Sequence, residues 1–397
     1  MTHNNLSSYI LFVKKEGLIK NTATPRIEFL DFVKGIAIIC VIMGHSGQTT
    51  SLHNLFVFSF HMPIFFIISG FLLAESKSIT LSLGEMAYKK VRRLILPYLV
   101  TGLIIFLVQL VIELYKVITT FYSFNYNIIF SIKHSIDYSY PFILNNGKQY
   151  LLDLCYGTGK EVILWQAVIK PMGILWFLPS LFSAYIIFYF FLKLFERYSI
   201  AIQSAIIIIL TFAGYMIGQY IFLPWSIDIS LVSQIFMFSG YLMRKYMIFE
   251  KKAPIWLLIA AAGLWLLDLY MGGIYMNERV YNNLAVSTIG AIAVSYLLIK
   301  LSYYLSNTTS FYYKAISYIG KQALVILCFS LIDTLAFTPL IMYYALVCLY
   351  QNNHWIILTG FRLCYSLLIV ETIKLLPLLK LVYYPRTSKI IAELESR

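Results

Sequence analysis

Ten apolar runs, each long enough to cross a bilayer, divide this sequence and leave few alternatives for its fold. They lie near residues 30–48, 56–75, 94–116, 174–195, 200–222, 228–247, 254–272, 284–305, 323–348 and 355–381. A helix needs about 20 apolar residues to cross the hydrocarbon layer, because lipid offers its backbone no hydrogen-bond partner. The chain is 60% hydrophobic and only 12% charged, about half the charged share of a typical soluble protein. The pattern predicts an all-α, polytopic membrane helix bundle of about ten transmembrane helices.

The basic residues orient that bundle. Of the 31 Lys and Arg, 22 fall in the segments that share a side with the N-terminus, and 6 fall in the segments opposite. Lysine and arginine accumulate on the cytoplasmic side of membrane proteins. Both termini are therefore expected in the cytoplasm, and the long loop 117–173 outside. The net charge of +13 follows from this topology and does not call for nucleic acid as a partner. The expected organisation is a cytoplasmic tail over 1–28, one transmembrane domain over 29–385 and a second tail over 386–397. Residues 1–28 are polar and mixed and carry no secretory leader pattern, so the first span itself would direct insertion into the cell membrane. Five cysteines, four of them in apolar runs, form no CxxC pair; neither a disulfide framework nor a metal site is expected.

Loop 117–173 is rich in Tyr and Asn and holds Gly157-Thr158-Gly159. A loop of this length is commonly functional, and a partial or re-entrant helix is expected near Glu161 to Val168.

The first span carries three ionisable groups, Asp31, Lys34 and His45. Asp31 and Lys34 are one helical turn apart. Lys34 and His45, eleven residues apart, share an edge and are separated by roughly 16 Å along the axis. Charges at membrane depth usually face a bundle interior or a wet cavity. The plainer alternative is that Asp31 and Lys34 are interfacial anchors and that His45 sits at the outer water boundary.

Several stretches together resemble the acyltransferase 3 family of integral-membrane O-acyltransferases, in the short form related to fucose 4-O-acetylases. These are Leu30-Asp31 with Lys34-Gly35-Ile36-Ala37-Ile38, the Lys34-x10-His45 spacing, and His61-Met62-Pro63-Ile64-Phe65-Phe66 followed by Ser69-Gly70-Phe71. Arg92-Arg93-Leu94-Ile95-Leu96-Pro97-Tyr98 and Leu175-Trp176-Phe177-Leu178-Pro179 agree as well. The resemblance is dense over 26–100, recurs near 174–185 and is only general beyond that. Lys34 stands where many members carry arginine.

The resemblance implies transfer of acetyl from cytoplasmic acetyl-CoA, a donor substrate, to a hydroxyl of a cell-surface or lipid-linked glycan. Such a transfer needs a base near neutral pH, for which imidazole is suited. His45 is the first candidate and His61 its companion, because the two can approach across the short outer link. His53, between them, is expected to be a solvated loop residue. Lys90, Arg92 and Arg93, with Lys34, are the candidate contacts to the phosphates of acyl-CoA, although the positive-inside rule alone would also place basic residues there. Asp31 and Trp176 are the candidate contacts to substrate; Trp176 is equally an ordinary interfacial residue. Asp333, Arg362 and Glu371, in the last two spans, are expected to form structural ion pairs. Gly320-Lys321-Gln322-Ala323-Leu324-Val325-Ile326 resembles a stretch that relatives commonly follow with a histidine. Here Leu327-Cys328-Phe329-Ser330 follows, which leaves the acceptor open.

The sequence holds no P-loop, no HExxH and no GxSxG, so nucleotide hydrolysis, zinc hydrolysis and serine-hydrolase chemistry lack support. The alternative reading is a transporter that moves a glycan or glycolipid without chemistry. Transporters commonly show repeated halves with interrupted helices at matching positions, and no such repeat is visible here. Membrane lipid is an expected partner on either reading.

Overall fold

The computed structural model describes residues 27–46, 52–75, 81–123, 147–164, 167–307, 310–332 and 354–385. These form a helical bundle with two short hairpins. Among the described residues, six helical stretches are long and apolar enough to cross a membrane, or seven if one pair bent by 53° counts as a single span. Helices stand at nine of the ten expected spans. The tenth, 323–348, is described only to residue 332.

Helix α1 (Glu28–Gly44) is the central element. Leu30, Val33, Ala37, Ile38, Val41 and Ile42 are all buried on it. After residues 47–51 the chain resumes as α2 (Leu52–Phe58) and α3 (His61–Glu75), which together make one span. The break between them has a cause in Pro63. Proline has no N–H to give the carbonyl four residues earlier, and its ring crowds that carbonyl. The helix therefore opens at Ser59, whose hydroxyl turns back to the Phe56 carbonyl at 2.8 Å.

Helix α4 (Leu83–Lys90) starts on a capping box: Glu85 N–H donates to Ser82 Oγ, and Ser82 N–H donates to the Glu85 carboxylate. It runs through a π-helical turn, Val91–Ile95, into α5 (Leu96–Ser123). Pro97 again supplies a reason. It cannot bond the Arg93 carbonyl, and the widened turn, closed by Leu96 N–H on Val91, relieves the crowding.

In the long loop a helix, α6, occupies residues 147–156 and packs back on α5: the Tyr150 hydroxyl donates to the Gly102 carbonyl at 2.8 Å, and the Tyr98 hydroxyl to the Leu154 carbonyl at 2.6 Å. The helix expected near 161–168 is instead a hairpin, β1 (Val162–Leu164) paired antiparallel with β2 (Ala167–Ile169). Its β-branched residues favour the extended state.

The second half comprises α7 (Phe177–Phe195), α8 (Ile200–Tyr220), the bent pair α9 (Ile227–Val232) and α10 (Gln234–Lys245), α11 (Ile255–Tyr270) and α12 (Leu284–Leu305). It ends with α13 (Phe311–Lys321), α14 (Ala323–Phe329), α15 (His354–Leu375) and α16 (Pro377–Tyr383). Between α11 and α12 a second hairpin pairs β3 (Ile274–Tyr275) with β4 (Val280–Tyr281). The apolar residues left outside, such as Ile209 and Phe212 on α8 and Leu368 on α15, are exposed as a lipid-facing surface requires.

Two helix crossings bring backbone against backbone. On α1 and α13, a Cβ at Gly35 would lie 2.1 Å from the Ile316 carbonyl oxygen, and one at Gly320 would lie 1.7 Å from that of Asp31. On α3 and α10, a Cβ at Gly70 would lie 1.8 Å from the Met237 oxygen, and one at Gly240 would lie 1.9 Å from that of Ile67. Small residues permit this approach where helices have no hydrophobic drive to associate. The helices that carry the two candidate histidines are thus each pinned to a neighbour.

Candidate active site

His45 and His61 meet around one aromatic ring. His45 follows the last turn of α1, where its N–H bonds back to the carbonyls of Val41 and Ile42. His61 opens α3. Both imidazoles stand edge-on to Phe58, with ring centroids at 5.8 Å for His45 and 4.8 Å for His61. The His61 Nδ1 lies 2.6 Å from the Val57 carbonyl oxygen. A carbonyl only accepts, so Nδ1 carries the proton, and the neutral ring keeps its lone pair on Nε2. His61 is buried, at 1% exposure.

A third residue joins them from the far end of the sequence. Arg362 on α15 is buried; its Nη1 donates to the His45 carbonyl and to Ser46 Oγ. These contacts tie Arg362 to the end of α1. Glu371 pairs with Lys374 at 2.8 Å and accepts from the Tyr318 hydroxyl, while Asp333 lies outside the described residues. His53 is also placed differently from expectation: it belongs to α2, and its ring stacks on Trp355 at 4.3 Å.

About three turns from His45, the other end of α1 holds Asp31 and Lys34. Asp31 is fully buried, and Lys34 Nζ donates to its Oδ1 at 3.2 Å. The lysine keeps 23% side-chain exposure, so the pair combines a hidden anion with a reachable cation.

The basic stretch lies along α7. Lys90 Nζ sits 3.1 Å from the ring centre of Tyr185, a cation–π contact that directs the lysine into the bundle. Tyr185 faces Ser69 and lies within electrostatic reach of Arg93. Arg92 and Arg93 stand in the π-helical turn, a distortion that recurs at functional sites. Trp176 is a core residue: it is 4% exposed, Phe177 meets it edge-on, and Gly159 covers its ring so closely that a Cβ there would fall 2.8 Å from Cγ.

Two features of the site have no signal in the sequence reading. Phe58 was an ordinary apolar residue of a span, and it becomes the wall shared by both imidazoles. Arg279, in the short segment between two spans, is the other. It is buried, and its Nε and Nη2 hold the carboxylate of Asp228 at 2.7 and 3.3 Å. Among the described residues, no group of three or more His, Cys, Asp or Glu side chains is placed to hold a metal ion.

No similar chain is found among curated proteins or among solved structures. One family model, described as an acyltransferase domain, matches residues 27–370 and so takes in α1 with both histidines, the π-helical turn and Arg362. The apolar helices and this match together make it a membrane protein with the coarse activity of an acyltransferase. The chain belongs to the acyltransferase 3 family.

Proposed function

We propose that this chain is an O-acetyltransferase that takes acetyl from cytoplasmic acetyl-CoA and places it on a hydroxyl of a cell-surface or lipid-linked glycan, in a bacterial inner or plasma membrane. The observation that carries the reading is the division of α1: two imidazoles gathered at one end, and an ion-paired lysine three turns away at the other. The donor's phosphates would be held by Lys34, Lys90, Arg92 and Arg93, since Arg and Lys bind phosphate by charge and forked hydrogen bonds. An extended pantetheine arm bridges the roughly 16 Å between Lys34 and His45.

At the histidine end the step is an ordinary acyl transfer. The neutral imidazole of His45 takes the acceptor's hydroxyl proton, and the alkoxide oxygen attacks the thioester carbonyl carbon. The C–S bond then breaks, and the coenzyme A thiolate recovers the proton from the imidazolium. His61, with Nδ1–H fixed on a carbonyl and Nε2 open, is the second base. Arg362 positions His45 by holding its carbonyl. Asp31 keeps Lys34 extended along the helix edge, and Trp176 supports the loop above it.

Mass spectrometry of surface saccharides from cells with and without the protein tests this reading. A difference of one acetyl group per modified residue is expected. Identical saccharides from the two strains would overturn the enzymatic assignment and leave transport without chemistry as the reading to pursue.

A further inference from the structure

The second hairpin links the histidine end to the outer loops, and its construction points to one residue. On its first strand, Tyr275 stacks on Phe58, with centroids 5.1 Å apart and planes 30° apart. Phe58 is the same ring that His45 and His61 meet edge-on. The neighbouring Gly273 lies against Leu55 of α2, where a Cβ would come within 2.9 Å of its Cδ1. Ile274 is fully buried. Tyr275 itself is half-buried, and among the described residues its hydroxyl makes no hydrogen bond.

The turn beside Tyr275, which pairs with Val280, is locked. Arg279 sits in the left-handed region at φ 57° and donates to Asp228, to the Asn277 carbonyl at 2.8 Å and to Ser226 Oγ at 3.4 Å. Its guanidinium also covers the Phe222 ring at 4.6 Å. Trp225 and Ser226, beside Asp228, are left-handed too. Residues other than glycine adopt that conformation at a cost, and such strain gathers where position matters. Three left-handed residues and a buried ion pair therefore hold the turn next to Tyr275, whose ring lies on the same Phe58 ring that both imidazoles meet.

We propose that Tyr275 is a specificity-determining residue for the acceptor: its ring packs against the sugar, its hydroxyl bonds a sugar hydroxyl, and the Asp228–Arg279 pair positions it. The proposal rests on the acetyltransferase reading and adds which residue selects the saccharide. A carbohydrate suits this wall because it offers apolar C–H faces to a ring and hydroxyls to a phenol. Coenzyme A, held by phosphate contacts elsewhere, needs neither.

The test replaces the chromosomal gene with Tyr275→Phe and Tyr275→Ala, measures acetyl content of the surface saccharide by mass spectrometry, and measures coenzyme A binding to each purified protein. Loss of one hydrogen bond in Tyr275→Phe should lower acetylation about fivefold, and loss of ring and hydroxyl in Tyr275→Ala about 30-fold. Coenzyme A affinity should stay at the parent value in both. Parent-level acetylation in Tyr275→Ala overturns the proposal. A parallel loss of coenzyme A binding also overturns it, because the residue would then be structural. Should the parent and the deletion strain carry equal acetyl, the acetyltransferase reading itself fails. A parent that acetylates while Tyr275→Ala does so equally removes the present inference alone.

Discussion

The two ends of α1 are built from opposite materials. One end is aromatic: two imidazoles share the ring of Phe58, and Arg362 donates to the His45 carbonyl and to Ser46 Oγ beside them. The other end is ionic, with Asp31 and Lys34 paired on the helix; further cations, Lys90 and Arg93, lie about Tyr185 on α7. A base that must exchange a proton works best with its lone pair free of salt bridges, whereas an anionic donor is held best by fixed cations. The contrast implies that chemistry and donor binding can be damaged separately.

The largest expected separation comes at the aromatic end. His45→Ala should lower transfer about 10²–10⁴-fold while coenzyme A affinity is kept, measured on monodisperse protein in detergent. Near-normal transfer would move the base to His61 and place the chemistry one helix away. Next is the outer lock. Asp228→Ala leaves Arg279 buried without its carboxylate, and breaking such a pair costs about 3–5 kcal/mol; thermal unfolding should show it, and an unchanged midpoint would mean the hairpin is held by packing alone. The ionic end should respond in the reverse sense to His45. Arg93→Ala should weaken coenzyme A binding by about 1.5–3 kcal/mol, the value of a hydrogen bond to a charged group, with Arg93→Lys recovering only part if the contact is forked. Unaltered affinity would leave Arg93 with a topological role only. The smallest effect belongs to Ser82→Ala, which removes the cap of α4 and should cost about 1 kcal/mol, with no change in transfer at saturating donor. A loss of transfer there would show that the two ends are coupled through α4.

Much of this architecture is legible in the sequence, for identifiable reasons. Apolar runs of bilayer length marked the helices because lipid imposes that length. The crossings Gly35–Gly320 and Gly70–Gly240 had no such signal, since spacing says nothing about which helices cross. The gathering of His45 and His61 followed from a link too short to keep them apart. Arg362 is 317 positions from His45, and no local pattern announces a contact of that range. The hairpin 274–281 escaped notice because strands of two residues carry no period. The π-helical turn was equally invisible, as one extra residue in a turn barely shifts an apolar stripe. In the long loop, the apolar residues of 161–168 suggested helix, and their β-branched members favoured strand.

The reciprocal glycine crossings have a consequence for how this protein tolerates variation. In a saturation library scored for membrane insertion and acetylation, glycines should fall into two groups that no count of glycine could separate. Gly35, Gly70, Gly240 and Gly320 would admit no second residue, because even a methyl group would fall within 2.1 Å of a neighbouring backbone oxygen. Gly84, Gly263 and Gly360 meet nothing within 4 Å and sit in helices that alanine favours by up to about 1 kcal/mol. At those three positions the library should be permissive, with alanine enriched over the parent residue.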